Sequence, residues 1–97
     1  MIDHLVTIKI RQDAPTDSVK RIVAALKTLP AAIPEIVELT AGENFSPRSN
    51  GHHLGLFVRF HDRKGLATYA THPAHVEVVE SLIKPAMEAI HVVDYET

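Results

Sequence analysis

Residues 2–10 read Ile2-Asp3-His4-Leu5-Val6-Thr7-Ile8-Lys9-Ile10, and their alternation decides the fold. Ile2, His4, Val6, Ile8 and Ile10 fall on one side; Asp3, Leu5, Thr7 and Lys9 fall on the other. Period two with β-branched residues is the pattern of a strand, here one whose even face is buried. Residues 54–61 repeat it, with Leu54, Leu56, Val58 and Phe60 against Gly55, Phe57, Arg59 and His61. That second even face is wholly apolar.

Between these two strands the period changes. Asp13-Ala14-Pro15-Thr16 is a break, and Thr16 is placed to cap a helix that Asp17 complements electrostatically. Val19, Ile22, Val23, Leu26 and Leu29 then recur at steps of three and four, one apolar stripe that Pro30 is expected to end. Ile36–Thr40 reads as a short strand, and Gly42–Gly51 as a loop or irregular strand extension. After residue 61 a second helical region opens at Asp62 or Lys64. His72-Pro73 interrupts it, because a residue before proline is pushed out of the α region. Val76, Val79, Leu82 and Ile83 resume the stripe, Pro85 disrupts its end, and Ile90–Tyr95 alternates as a fourth strand.

The order β-α-β-β-α-β in one domain, residues 1–97, predicts an α+β, ferredoxin-like protomer with both helical regions on one sheet face. The other face would carry Leu5, Phe57, Val93 and Tyr95 among Thr7, Lys9 and Arg59, too apolar to leave comfortably in water. A second copy covering it would pair the sheets into a dimeric α/β barrel, so a homodimer is expected.

Composition narrows the function classes. Ten Lys+Arg against twelve Asp+Glu give no field to gather nucleic acid or anionic lipid. No apolar run approaches the ~20 residues that span a bilayer, and the first residues lack a basic and then apolar leader. A cytoplasmic protein is the expectation. No cysteine means no disulfide, thiol nucleophile or thiolate metal site.

Seven histidines are the reactive population. His4 lies on the even, helix-covered face, either as a core histidine bonded to a backbone carbonyl or as one that meets His75 across a cavity. His75 is in register with Val79, Leu82 and Ala86, so it points toward the sheet. Asp94, on the face of Ile90 and Val92, could reach the same place, and a carboxylate on imidazole fixes its tautomer and raises its basicity. Tyr69 is six residues before His75, a poor helical spacing, but the His72-Pro73 break lets the two share a site. Its hydroxyl is then either bonded locally or donates to a substrate oxyanion. Val23, Leu26, Leu56 and Val79 are the expected apolar lining for a small hydrophobic or carbonyl-bearing ligand. His72 and His75, and the adjacent His52 and His53, have no third ligand at a recognised spacing, so no metal and no cofactor are expected. His52, His53 and His61 read as solvated, and His91 as lying on the dimer face.

Several segments together resemble the stress-responsive dimeric α/β-barrel (Dabb) domain. They are Met1–Lys9, Ile33-Pro34-Glu35-Ile36, Gly42-Glu43-Asn44-Phe45-Ser46, Phe60-His61-Asp62, Tyr69-Ala70-Thr71-His72-Pro73-Ala74-His75 and Val93-Asp94-Tyr95. The resemblance spans essentially the whole chain. It implies a ferredoxin-like protomer, a homodimer through the sheets, and usually no assigned biochemical activity. The chain is also similar to a plant polyketide cyclase of that family, which closes its substrate by intramolecular aldol condensation. That similarity implies His75 and Tyr69 as an acid–base pair and His4 as a pocket residue, with Leu54 near the place of a further pocket histidine. Two functions follow as alternatives: a module that binds a small molecule, or a cofactor-independent lyase or cyclase. In the second, His75 takes a proton next to a carbonyl, Tyr69 steadies the enolate, and Asp94 or His4 orients the base.

Overall fold

The computed structural model describes residues 1–97. The strands are β1 (Ile2–Ile10), β2 (Ile36–Glu43), β3 (Leu54–Phe60) and β4 (Met87–Glu96). They form one sheet in the order β2-β3-β1-β4, every neighbouring pair antiparallel. Hence β1 runs parallel to β2, and β3 to β4, so each of these two connections must cross over through helix. The first crossover holds α1 (Ser18–Leu26) and α2 (Leu29–Ala32); the second holds α3 (Arg63–Thr71), α4 (Pro73–Val78), a π-helical turn at Val79–Ile83 and α5 (Lys84–Ala86).

The two central strands supply the core through their even positions. Ile2, Val6, Ile8 and Ile10 of β1 are buried with Leu54, Leu56, Val58 and Phe60 of β3. Ile22, Leu26, Leu29 and Ile33 cover them from the first crossover; Tyr69, Val78, Ile83 and Ala86 cover them from the second. His4 shares this face but is only partly buried.

Local expectations are corrected at several ends. Asp17, not Thr16, is the N-cap of α1, and it makes no side-chain cap bond. Pro30 does not end the helical segment but lies in the first turn of α2, where its missing N–H costs nothing. Both edge strands are longer than their apolar runs: β2 continues through Gly42-Glu43, and β4 starts at Met87. Ladder pairing with β3 and β1 sustains them where side-chain pattern does not. Pro85 follows the widened turn at Val79–Ile83, consistent with a ring that clashes with the carbonyl four residues back.

The opposite face is open. Leu5 and Phe57 are half-buried, and Val93 and Tyr95 are exposed. Asp3 is an exception there: Arg59 clamps its carboxylate at 2.7 and 3.0 Å, leaving it almost completely covered. That guanidinium holds the Asp3 carboxyl below its usual pKa. His52 is also covered, contrary to the expectation of a solvated loop residue, because it folds onto Thr7 and His91.

Candidate functional site

The site is assembled by register and by one helix break. In the β1–β4 ladder His4 stands directly opposite Asp94, and cross-strand partners on one face have side chains within reach. His4 Nδ1 is hydrogen-bonded to Asp94 Oδ1. A carboxylate only accepts, so Nδ1–H donates and Nε2 is left to take a proton. Of the alternatives for His4, the backbone carbonyl is not its partner.

The helix layer brings the phenol. Asp62 caps α3 by accepting the Gly65 amide at 2.8 Å, and α3 carries Tyr69 down onto the sheet. At His72 the backbone turns extended, and the His72 imidazole accepts the Ala74 amide at 3.1 Å to start α4. This break changes the chain direction between Tyr69 and His75, whose rings pack 4.2 Å apart. Tyr69 also meets Phe60 at 5.1 Å and the edge of His4 at 5.8 Å. His4, Tyr69 and His75 therefore form one cluster, with Asp94 behind His4.

Each polar group in the cluster has a defined state. His75 Nδ1–H donates to the Ala70 carbonyl at 3.1 Å, which leaves Nε2 as the acceptor. Burial lowers the His75 pKa, the Ala70 bond opposes that, and the charges of His4 and His72 reinforce it. His75 is accordingly a neutral base at pH 7. Tyr69 is 1% exposed, and burial pushes its hydroxyl up to about 12. It therefore stays a donor throughout the neutral range. No backbone or side-chain group bonds that hydroxyl. A buried polar atom without a partner costs about 1–3 kcal/mol, so it calls for an explanation.

A cleft of about 300 Å³ opens beside the pair, lined by Ile2, Arg63, Leu66, Asp94, Tyr95 and Glu96. Arg63 and Glu96 pair at 3.1 Å on its rim. Tyr69 and His75 do not line it; Tyr69 meets it only through His4, the partner of Asp94. The four apolar positions expected to line a cavity are elsewhere. Leu26 and Leu56 are core, and Val23 and Val79 pack against that core, because mid-layer positions on both stripes face filled space. Ile2 and Leu66 wall the cleft instead. Their signal was present in the sequence: Ile2 is two residues before His4 on one strand face, and Leu66 three before Tyr69 on one helix. Arg63 has no such signal. No three His, Asp or Glu side chains converge as a metal-ligand set.

An antiparallel four-stranded sheet with two helical crossovers on one face defines a ferredoxin-like α+β domain. The chain belongs to the stress-responsive A/B barrel domain (Dabb) family, whose model matches residues 2–97. It is 28% identical over 97 residues to a stress-response A/B barrel domain-containing protein of Arabidopsis thaliana, covering 98% of this chain but only 36% of that protein. A dimeric ferredoxin-like protein of unknown function from Bacteroides fragilis superposes with a TM-score of 0.88 at 29% identity, over 99% of this chain and 95% of its own. A hydroxynitrile lyase from Passiflora edulis shares the fold at a TM-score of 0.84 and 22% identity, covering 97% and 90%. No helix is long and apolar enough to cross a membrane.

Proposed function

We propose that this chain works as a homodimer that holds a small, mostly apolar, carbonyl-bearing molecule at the His4–Tyr69–His75 cluster. The unpartnered Tyr69 hydroxyl carries this reading. A carbonyl oxygen accepting from it would satisfy the one buried group that the fold leaves alone. The adjoining cleft is at the lower end of small-molecule pocket sizes, about 300–1,000 Å³. The dimer is supported by the exposed apolar residues of the open face and by the dimeric Bacteroides relative.

Acetylacetone, a small diketone that enolises readily, is a suitable probe. Its titration should give saturable changes in the tyrosine absorption and in the His75 ring resonances. Tyr69→Phe should fold and self-associate normally yet lose the saturation. Undiminished binding by that variant, or none by the wild type at millimolar probe, would overturn the reading.

The His4–Asp94 pair favours a second reading, in which the site turns over. A proton α to the carbonyl moves to an imidazole nitrogen, Nε2 of His75. The electron pair shifts onto the carbonyl oxygen, which Tyr69 steadies by its O–H. The resulting enolate carbon attacks a second carbonyl, or a carbon–carbon bond is broken by the reverse path. The proton held on His75 Nε2 then passes to the alkoxide formed by that attack, while Asp94 fixes the His4 tautomer. Deuterium incorporation at the α-carbon of the probe in D2O would report the first step. General-base removal by His75→Ala should slow it by about 10²-fold or more. Equal exchange rates in both proteins would leave only the binding reading.

A further inference from the structure

The open face carries a second histidine pair that the Tyr69 site does not use. Thr7 and His91 stand opposite each other in the β1–β4 ladder, and His52, in the turn before β3, folds over the same face. Thr7 Oγ1 and His52 Nδ1 are hydrogen-bonded at 2.9 Å. The His52 and His91 rings are 4.7 Å apart and tilted by 44°. His52 is 7% exposed, whereas His91 is open to water. Leu5, Phe57 and Val93 are the next residues along this face.

The surroundings offer little to neutralise two imidazolium ions. From β3 the facing residues are Gly55 and Phe57, and from β4 they are Ala89 and Val93. Lys9 follows Thr7 on β1, its stem against Gly51 and its ammonium 3.0 Å from Glu88. On the rim Glu43 shares a groove with Lys20, His52 and His53. His53 turns away, its Nδ1 accepting the Ile10 amide at 3.0 Å. Glu88 is thus already paired with Lys9, and Glu43 lies in a groove that also holds Lys20.

We infer that a second copy of this chain seats over the His52–His91 patch and that this pair makes the contact acid-sensitive. The inference rests on the homodimer reading above. In a separated chain the His91 ring is open to water. Under a second sheet, two adjacent imidazolium ions lose that water and repel each other. The assembly therefore binds fewer protons than the free chains, and linkage weakens association as pH falls through the imidazole range. The dissociation constant should accordingly rise roughly tenfold from about pH 7.5 to about pH 5.5.

Sedimentation velocity over a dilution series at both pH values tests this, with circular dichroism to verify that the chain stays folded. The wild type should weaken by about that factor, and His91→Gln, which keeps size and polarity at an exposed position, should remove most of the pH slope. A dimer whose affinity ignores pH would overturn the inference and leave the homodimer standing. So would an acid weakening that His91→Gln leaves intact, since the titrating groups would then lie elsewhere. A monomer at every pH and concentration would overturn the homodimer reading itself, and the inference with it.

Discussion

The two faces of the sheet are built from alternate residues of the same strands, yet they solve opposite problems. On the helix-covered face, Ile8, Val58 and Phe60 are buried to 1% exposure or less. Its aromatic and ionisable polar groups gather in the His4–Tyr69–His75 cluster and its Asp94 partner. On the open face, apolar side chains stay half-buried or exposed, and the polar ones that are covered are paired within the protomer: Asp3 with Arg59, Thr7 with His52. One face is finished by its own helices and leaves a single hydroxyl unsatisfied. The other pairs its covered polar groups and leaves apolar surface. Unfinished business of the first kind suits a small polar-headed ligand, and of the second kind a second copy of the sheet.

Mutating the same strand on its two faces breaks that comparison most directly. Phe60→Ala removes a fully buried ring that supports Tyr69, and such truncations cost about 3–5 kcal/mol. Small domains have about 5–15 kcal/mol in total, so the urea midpoint should fall steeply. Phe57→Ala, three residues earlier and on the open face, should cost the isolated chain about 1 kcal/mol or less while weakening self-association. Equal losses would mean that the open face is structural within the protomer.

Alkaline titration probes the covered face next. Tyr69 ionises at about 12 in the fold against an ordinary 10.0. A raised pKa on an acid that must stay neutral means full stability below pH 10, lost as pH rises toward the folded value. The loss should approach about 2–3 kcal/mol. Tyr69→Phe should show none of it in the same denaturation series. At neutral pH that substitution should instead stabilise the ligand-free protein by about 1 kcal/mol, since it deletes an unsatisfied buried hydroxyl. A destabilised Tyr69→Phe would show that the hydroxyl has a partner in solution.

The smallest expected effect is in acid. The lowered His75 pKa, caused chiefly by burial, means that the unfolded chain takes up a proton more readily than the folded one. Stability should therefore decline as pH falls below the ordinary imidazole value of about 6.5 and level off below the folded value. His75→Gln should flatten this decline, measured at low protein concentration to separate it from the acid response of the open face.

Most of the architecture was legible in the chain because burial in a two-layer fold imposes a period. Strands alternate and helices recur at three and four, so Ile2–Ile10, Leu54–Phe60 and the stripe from Val19 to Leu29 announced their elements and inner faces. The His72-Pro73 break was legible too, since proline constrains the residue before it wherever it occurs. Edge-strand ends and helix caps were not, because ladder bonds and cap bonds depend on the neighbouring chain segment and not on side-chain pattern. The same limit applied to the site. Sequence put His4, Tyr69, His75 and Asp94 on inward faces, as local geometry allows. Only the tertiary structure could choose Asp94 over a backbone carbonyl for His4, and wall the cleft with Ile2, Leu66 and Arg63 instead of Val23, Leu26, Leu56 and Val79. It also lifted His52 out of its loop onto Thr7 and His91. Side-chain direction is a local property of the backbone; which groups finally touch depends on strand register and crossover placement, and these are settled by the whole chain at once.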